Sequence, residues 1–195
     1  MMHPAFQFDS YLLKRQVLAL TGKFRLYDPN DNLVLFCQQK MFKLKEDIRI
    51  YSDENKTQEL LYIKARQILD FSAAYDVVDS QSDTKVGVLR RRGFRSMIRD
   101  EWQILDAYDQ PMGILLEDNM SRALLRRFIL GKLLPQSYDL LINDVVLTEM
   151  KQRFHLFRYD LDLDFSMDTN RSLDRRLGIA AAILLGTIEG KQESA

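Results

Sequence analysis

The sequence predicts a mainly β fold: a closed antiparallel barrel of about twelve strands around a hydrophobic C-terminal α-helix, with one additional helix on the surface. Three observations lead to it. The run Leu177-Gly178-Ile179-Ala180-Ala181-Ala182-Ile183-Leu184-Leu185-Gly186-Thr187-Ile188 carries no charge and a single polar side chain. A helix without a polar stripe is buried on every side. Polar clusters opening with Asp28, Asp53, Asp79 and Asp106 follow one another at intervals of 25, 26 and 27 residues, and several segments between them alternate apolar with polar residues, as a sheet with one buried face requires.

The terminal run is a core helix rather than a membrane span. Twelve helical residues cover about 18 Å, against about 30 Å of hydrocarbon, and Asp174, Arg175, Arg176, Glu189 and Lys191 crowd both flanks. The central helix is expected over Leu173–Glu189, with Ser172 as N-cap, Asp174 at the positive end of the dipole and Gly190 just past the last turn.

Residues 1–195 read as a single barrel domain. Hydrophobic content of 46% and charged content of 29% are those of a globular chain. The single cysteine, Cys37, excludes an internal disulfide and reads as a small buried hydrophobe. The start lacks the basic and apolar regions of a signal peptide, so a cytoplasmic location is expected, peripheral at the membrane if lipid is bound.

In chain order, residues 1–9 form an N-terminal arm with Phe6 and Phe8 packed on the body. The aspartate-led clusters are hairpin turns, because Asp, Asn, Ser and Pro hydrogen-bond their own backbone or preset φ. They join strands at Phe24–Tyr27 and Leu33–Cys37, Ile48–Tyr51 and Leu60–Lys64, Tyr75–Val78 and Val86–Leu89, and Trp102–Leu105 and Met112–Leu116. Ser121 caps a basic amphipathic helix from Arg122 to Leu133. Strands resume at Tyr138–Ile142, turn at Asn143-Asp144, and continue as Val145–Met150, Arg153–Phe157 and Asp160–Ser166. A sheet with one apolar face buries an all-apolar helix by curling around it, and cans of about eleven strands hold a central helix.

The Asp160-Leu161-Asp162-Leu163-Asp164 strand running into a buried helix, the aspartate-led hairpins, Tyr11-Leu12-Leu13-Lys14-Arg15 leading into Phe24-Arg25-Leu26-Tyr27-Asp28, and Gly87-Val88-Leu89-Arg90-Arg91-Arg92 together resemble the Tubby C-terminal-like superfamily. Within it the likeness is closest to LURP-one-related proteins and phospholipid scramblases. The resemblance implies a closed twelve-stranded barrel around a C-terminal helix. It also implies a choice of roles, since Tubby-type members bind phosphoinositides and scramblases are linked to calcium-dependent lipid movement.

Formal charge is zero, yet Lys85–Lys132 is basic and Leu133–Asp174 acidic. Arg90, Arg91, Arg92 and Arg95, with Arg99, Arg122, Arg126, Arg127 and Lys132, are the candidate site. If Val86 and Val88 face the core, the strand ends near Leu89 and the triplet lies at a barrel rim, where guanidinium groups grip phosphate. The competing reading is a solvated rim paired with Asp100, Glu101 and Glu117. Asp160, Asp162, Asp164 and Asp168 do not form an EF-hand, because Phe165 and Arg171 stand where Gly and Glu are required; they read as the outward polar face of a strand. His3 and His155 belong to no catalytic arrangement, the glycines form no phosphate loop, and the arginines lack interleaved stacking aromatics. The expectation is a non-enzymatic binding module without cofactor, metal or nucleic acid, taking an anionic phospholipid, a phosphoinositide head group or another phosphorylated ligand. The alternative is a scramblase-like membrane-associated protein.

Overall fold

The computed structural model describes residues 2–16, 21–40, 48–67, 73–92, 101–117, 135–155 and 158–192. One sheet closes on itself. Its strands are β1 (Ser10–Gln16), β2 (Thr21–Tyr27), β3 (Leu33–Lys40), β4 (Ile48–Tyr51), β5 (Glu59–Gln67), β6 (Ala74–Asp79), β7 (Thr84–Arg91), β8 (Glu101–Leu105), β9 (Pro111–Glu117), β10 (Ser137–Ile142), β11 (Val145–Arg153) and β12 (Arg158–Asp164). Each pairs antiparallel with its neighbours in sequence, and β12 closes on β1 with Ser10 opposite Asp164 and Gln16 opposite Arg158. Closure leaves no exposed edge. Helix α1 (Arg175–Gln192) runs inside.

In such an up-and-down order the connections alternate between the two ends of the barrel. The aspartate-led turns therefore share one end, here the turn end, and their spacing of 25 to 27 residues is two strands plus two connections. Asp28 Oδ1 accepts from the N–H groups of Asn30 and Asn32, Asp79 Oδ1 from Gln81 and Ser82, and Asp106 Oδ1 from Tyr108 and Gln110, all at 2.8–3.0 Å. Asn143 and Asp144 have φ of 50° and 62°, the left-handed pair of a two-residue type I′ hairpin.

The count of twelve strands survives two compensating differences. Strand β1 was not expected, because its core face carries Arg15 after Tyr11 and Leu13 and so does not read as an apolar alternation; Arg15 is buried over the Tyr159 ring, 5.5 Å from its centroid. The two strands expected at Val145–Met150 and Arg153–Phe157 are one, β11, continuous through the polar Lys151-Gln152-Arg153 because these residues pair with Asp162, Leu161 and Asp160 of β12. The N-terminal arm is docked, as expected of Phe6 and Phe8, and contains a 3-10 turn at Pro4–Phe6. The helix expected over Arg122–Leu133 lies outside the described residues.

Helix α1 starts later and runs further than Leu173–Glu189. Ser172 is not its cap: the Arg176 N–H donates to Asp174 Oδ1 at 3.0 Å, while the Ser172 N–H donates to Asp168 at 2.8 Å. Gly190 lies within the helix instead of ending it. From Ile179 to Leu185 no residue is more than 2% exposed. Gly178, Ala182 and Gly186, four residues apart, keep one face small. A Cβ at Gly178 would lie 2.5 Å from the Phe165 ring, and one at Gly186 would lie 2.8 Å from Phe24 and 3.2 Å from Tyr159. The helix can approach that aromatic wall because those side chains are missing.

Two arginines fasten the helix at the turn end. Arg175, 3% exposed, donates from Nη1 to Asp168 Oδ2 at 2.7 Å and from Nη2 to Asp9 Oδ1 at 3.2 Å, with its Cζ 4.7 Å from the Phe165 ring centroid. Arg176 donates to Asp79 at 2.7 Å and to Asp174 at 2.6 Å. Burial alone would raise the Asp168 carboxyl, but the N–H groups of Leu173 and Ser172 and the Arg175 guanidinium outweigh it and hold it below the usual carboxylate range.

Three outcomes follow. Ala181→Asp yields no folded protein, because an unpaired buried charge costs several kcal/mol, comparable with a domain's whole stability; a soluble variant with a cooperative melt would overturn the central placement of the helix. Arg175→Met, which strands the Asp168 charge, lowers the urea-unfolding free energy by about 3–5 kcal/mol. Because Asp168 titrates lower folded than unfolded, its contribution is fully present above about pH 4. It is lost as pH falls through the folded value, so stability measured across acid pH declines less steeply in Asp168→Asn than in the wild type.

Candidate functional site

The end opposite the turns is framed by the close of β7 at Arg91, the start of β8 at Glu101, the close of β9 at Glu117 and the junction of β11 with β12. Arg90, Arg91 and Arg92 lie here, and the strand pleat separates them. Gly87 faces the helix, where an added Cβ would lie 3.0 Å from Leu177, and Leu89 is in the core. Arg91 follows them inward, and its charge reaches Tyr75, which sits 6.1 Å from Trp102 between ring centroids. Arg90 and Arg92 turn outward.

Of the two valines expected on the core face, Val86 packs against the core, whereas Val88 is buried on the other side of the pleat from Gly87 and Leu89, and β7 runs past Leu89 to Arg91. The cause is a bulge: Gly87 pairs with Val77 and Lys85 with Val78, so Val86 drops out of the ladder and the phase shifts after it. Arg92 Nη1 donates to Glu101 at 2.6 Å, one of the pairings expected of a solvated rim. Arg90 makes no ion pair among the described residues. Arg95, Arg99, Arg122, Arg126, Arg127 and Lys132 lie outside the described residues.

The inner surface toward this end is more polar than a barrel core need be, with Arg15, Arg91, Glu117 and Gln136 at least partly buried. Arg15 was missed. The signal was available in its phase, two residues beyond Leu13 and four beyond Tyr11, both core residues.

The acidic strand alternates as expected, with Tyr159, Leu161 and Leu163 in the core and the aspartates on the outer face. Asp160 departs from a solvated role, being 1% exposed. Its Oδ2 lies 3.1 Å from Arg158 Nη2 and 3.3 Å from His155 Nε2. Asp162 holds Arg153 through two bonds of 2.7 and 2.6 Å, and Asp164 accepts from the Ser166 N–H at 2.8 Å. Asp168 belongs to the helix clamp. Among the described residues no group of three or more His, Cys, Asp or Glu side chains could hold a metal ion. Beside this strand lies a cleft of about 500 Å³, lined by Asp9, Asp28, Asp31, Asp162 and Asp164 with Arg153.

The carboxylates of the turn end stay ionised, several of them paired with Arg25, Arg66, Lys85 and Arg176. A hydrogen bond from the Asn32 side chain, with N–H groups of the turn, holds Asp28 below the usual carboxylate range. Thr57 does the same for Asp53, and Arg66 and Lys85 for Asp109. Each carboxylate stays ionised because its charged form is the one its partners hydrogen-bond. The turn end thus carries carboxylates with their cationic partners, and the opposite end carries Arg90 and Arg92 turned outward. His155 stands beside a carboxylate and a guanidinium, with no nucleophile among its described contacts.

The LURP-one-related family matches residues 33–186 of the chain, from β3 to the last turns of α1. No curated protein sequence matches it. The X-ray structure of a protein from Arabidopsis thaliana superposes with a TM-score of 0.54 at 12% sequence identity, covering 96% of this chain and 97% of that one, a likeness of fold. No helix among the described residues is long and apolar enough to cross a membrane. With the family match spanning most of the closed barrel and its central helix, the chain belongs to the LURP-one-related family.

Proposed function

We propose that this barrel is a non-enzymatic binding module that takes an anionic, phosphate-bearing ligand, an anionic phospholipid or phosphoinositide head group, at the end opposite the aspartate-led turns. The observation that carries the reading is the pair of outward guanidinium groups at the end opposite the turns. Net charge is zero, yet the turn carboxylates gather at one end while Arg90 and Arg92 project from the other. Arg90 is the leading contact, being outward and without an ion-pair partner among the described residues. Arg92 can exchange Glu101 for a phosphate, since an exposed pair is worth at most about 1 kcal/mol. The arginines at 95, 122, 126 and 127 belong to the same proposal through their place in the sequence, between β7 and β8 and between β9 and β10. Resemblance to Tubby-type proteins points to the same ligand class. The scramblase-like alternative that inserts the terminal helix would require α1 to leave an interior in which it is fully packed.

Cosedimentation with phosphatidylcholine vesicles, with and without anionic lipid, at low salt tests the proposal. Wild type is expected in the pellet only with anionic lipid, and less so as salt rises. Each arginine at an anionic surface is worth about 1 kcal/mol. Arg90→Ala/Arg92→Ala should therefore weaken partition roughly thirtyfold while melting as wild type does. Arg91 is left in place because it faces the interior. Equal pelleting of variant and wild type would remove the site.

A further inference from the structure

We infer that the turn end is a docking face for a protein partner that presents a basic amphipathic helix, with Tyr108, Val145 and Met167 as the apolar contacts. Every strand connection at this end lies among the described residues. Among those residues the exposed large hydrophobics are Phe154, which stands at the other end, and three that share this one: Tyr108 at 84%, Val145 at 59% and Met167 at 42% exposure. Tyr108 tips the β8–β9 turn, Val145 follows the β10–β11 turn and Met167 lies between β12 and α1. Successive connections along one arc of the closed sheet therefore carry them.

Partly buried apolar residues continue the arc. Ile142 pairs with Val145 on one side and with Gly113, the residue after Met112, on the other. Met112 and Ile142 both pack against the core while staying partly exposed. Tyr and Met are enriched where protein interfaces are dry, and the flexible Met side chain adapts to what it meets. The spacing suits a helix. Successive connections at this end are two strands apart, about 10 Å, and two helical turns advance about 11 Å. Apolar residues seven apart along a helix would meet the three contacts in turn.

Charge identifies the rest of the partner. Asp106 precedes Tyr108, Asp144 precedes Val145 and Asp164 precedes Met167, and none of these three aspartates makes an ion pair among the described residues. Asp109, beside Tyr108, is already held by Arg66 and Lys85 and is not available in the same way. Lysine or arginine flanking the partner's apolar stripe would answer the three free carboxylates. The same carboxylates repel an anionic bilayer, and in a symmetric dimer formed through this face they would oppose one another.

Fluorescence anisotropy of the full chain with a labelled synthetic helix of Leu and Lys, apolar on one face, tests the docking face. Wild type should bind it more tightly than the same pattern with Glu in place of Lys, and less tightly as salt rises. Tyr108→Ser/Met167→Ser should weaken binding about tenfold or more. Asp144→Asn keeps a residue that tolerates the φ of 62° at this turn and should flatten the salt dependence. Both variants should melt as wild type does, and Phe154→Ser, at the other end, should bind as wild type does. Equal affinity for the two peptides, or wild-type binding by Tyr108→Ser/Met167→Ser, would overturn the proposal. So would a wild-type dimer in sedimentation velocity that this double variant dissociates, or loss of pelleting with anionic vesicles in the same variant, since each assigns the face to another occupant.

Discussion

A helix that is apolar all round cannot have a wet face, and everything else in this structure answers to that constraint. An open sheet covers only one side of a helix; a closed one covers it entirely. Closure is made by the first and last strands, β1 and β12, paired over seven residues, so the element that follows β12 is the one available to fill the interior. The small positions Gly178, Ala182 and Gly186 then let the filling helix sit against Phe165, Tyr159 and Phe24. The two charges at the helix mouth would be expensive inside a barrel, and each has carboxylate partners there.

The turn chemistry and the electrostatics of the molecule are one phenomenon. Aspartate is used where the chain reverses because its carboxylate can accept the N–H groups of the turn. A meander places every second connection at the same end, so residues chosen for local geometry gather there as carboxylates, several of them answered by Arg25, Arg66, Lys85 and Arg176. The opposite end receives none of those aspartate-led turns. The family match and the Arabidopsis likeness establish the barrel, and the aspartate-led turns at one end with Arg90 and Arg92 at the other give it a direction.

Much of the fold was legible in the sequence. The buried helix, the hairpin rhythm, the turn residues and most strand cores follow from composition and period. What was misread had one cause, polar residues on the core face or apolar runs interrupted by them. Arg15 hid β1, and Lys151-Gln152-Arg153 split β11. The candidate site was less legible. The three arginines expected at a rim close β7 at the end opposite the turns, but the bulge at Val86 moves the phase by one residue and turns Arg91 inward, away from Arg90 and Arg92.

The sequence by itself determined the elements whose cause is local: a helix with no polar side to show to water, turns led by residues that hydrogen-bond themselves, strands between them, and a charge balance of zero. The tertiary structure decided what depends on register and closure. It buried Asp160 beneath Arg158 and His155, parted Arg91 from Arg90 and Arg92, and joined Arg175 to Asp9 across 166 residues of chain. Such contacts are set by which residues a closing sheet brings face to face. A single extra residue in one strand changes the answer for every side chain beyond it.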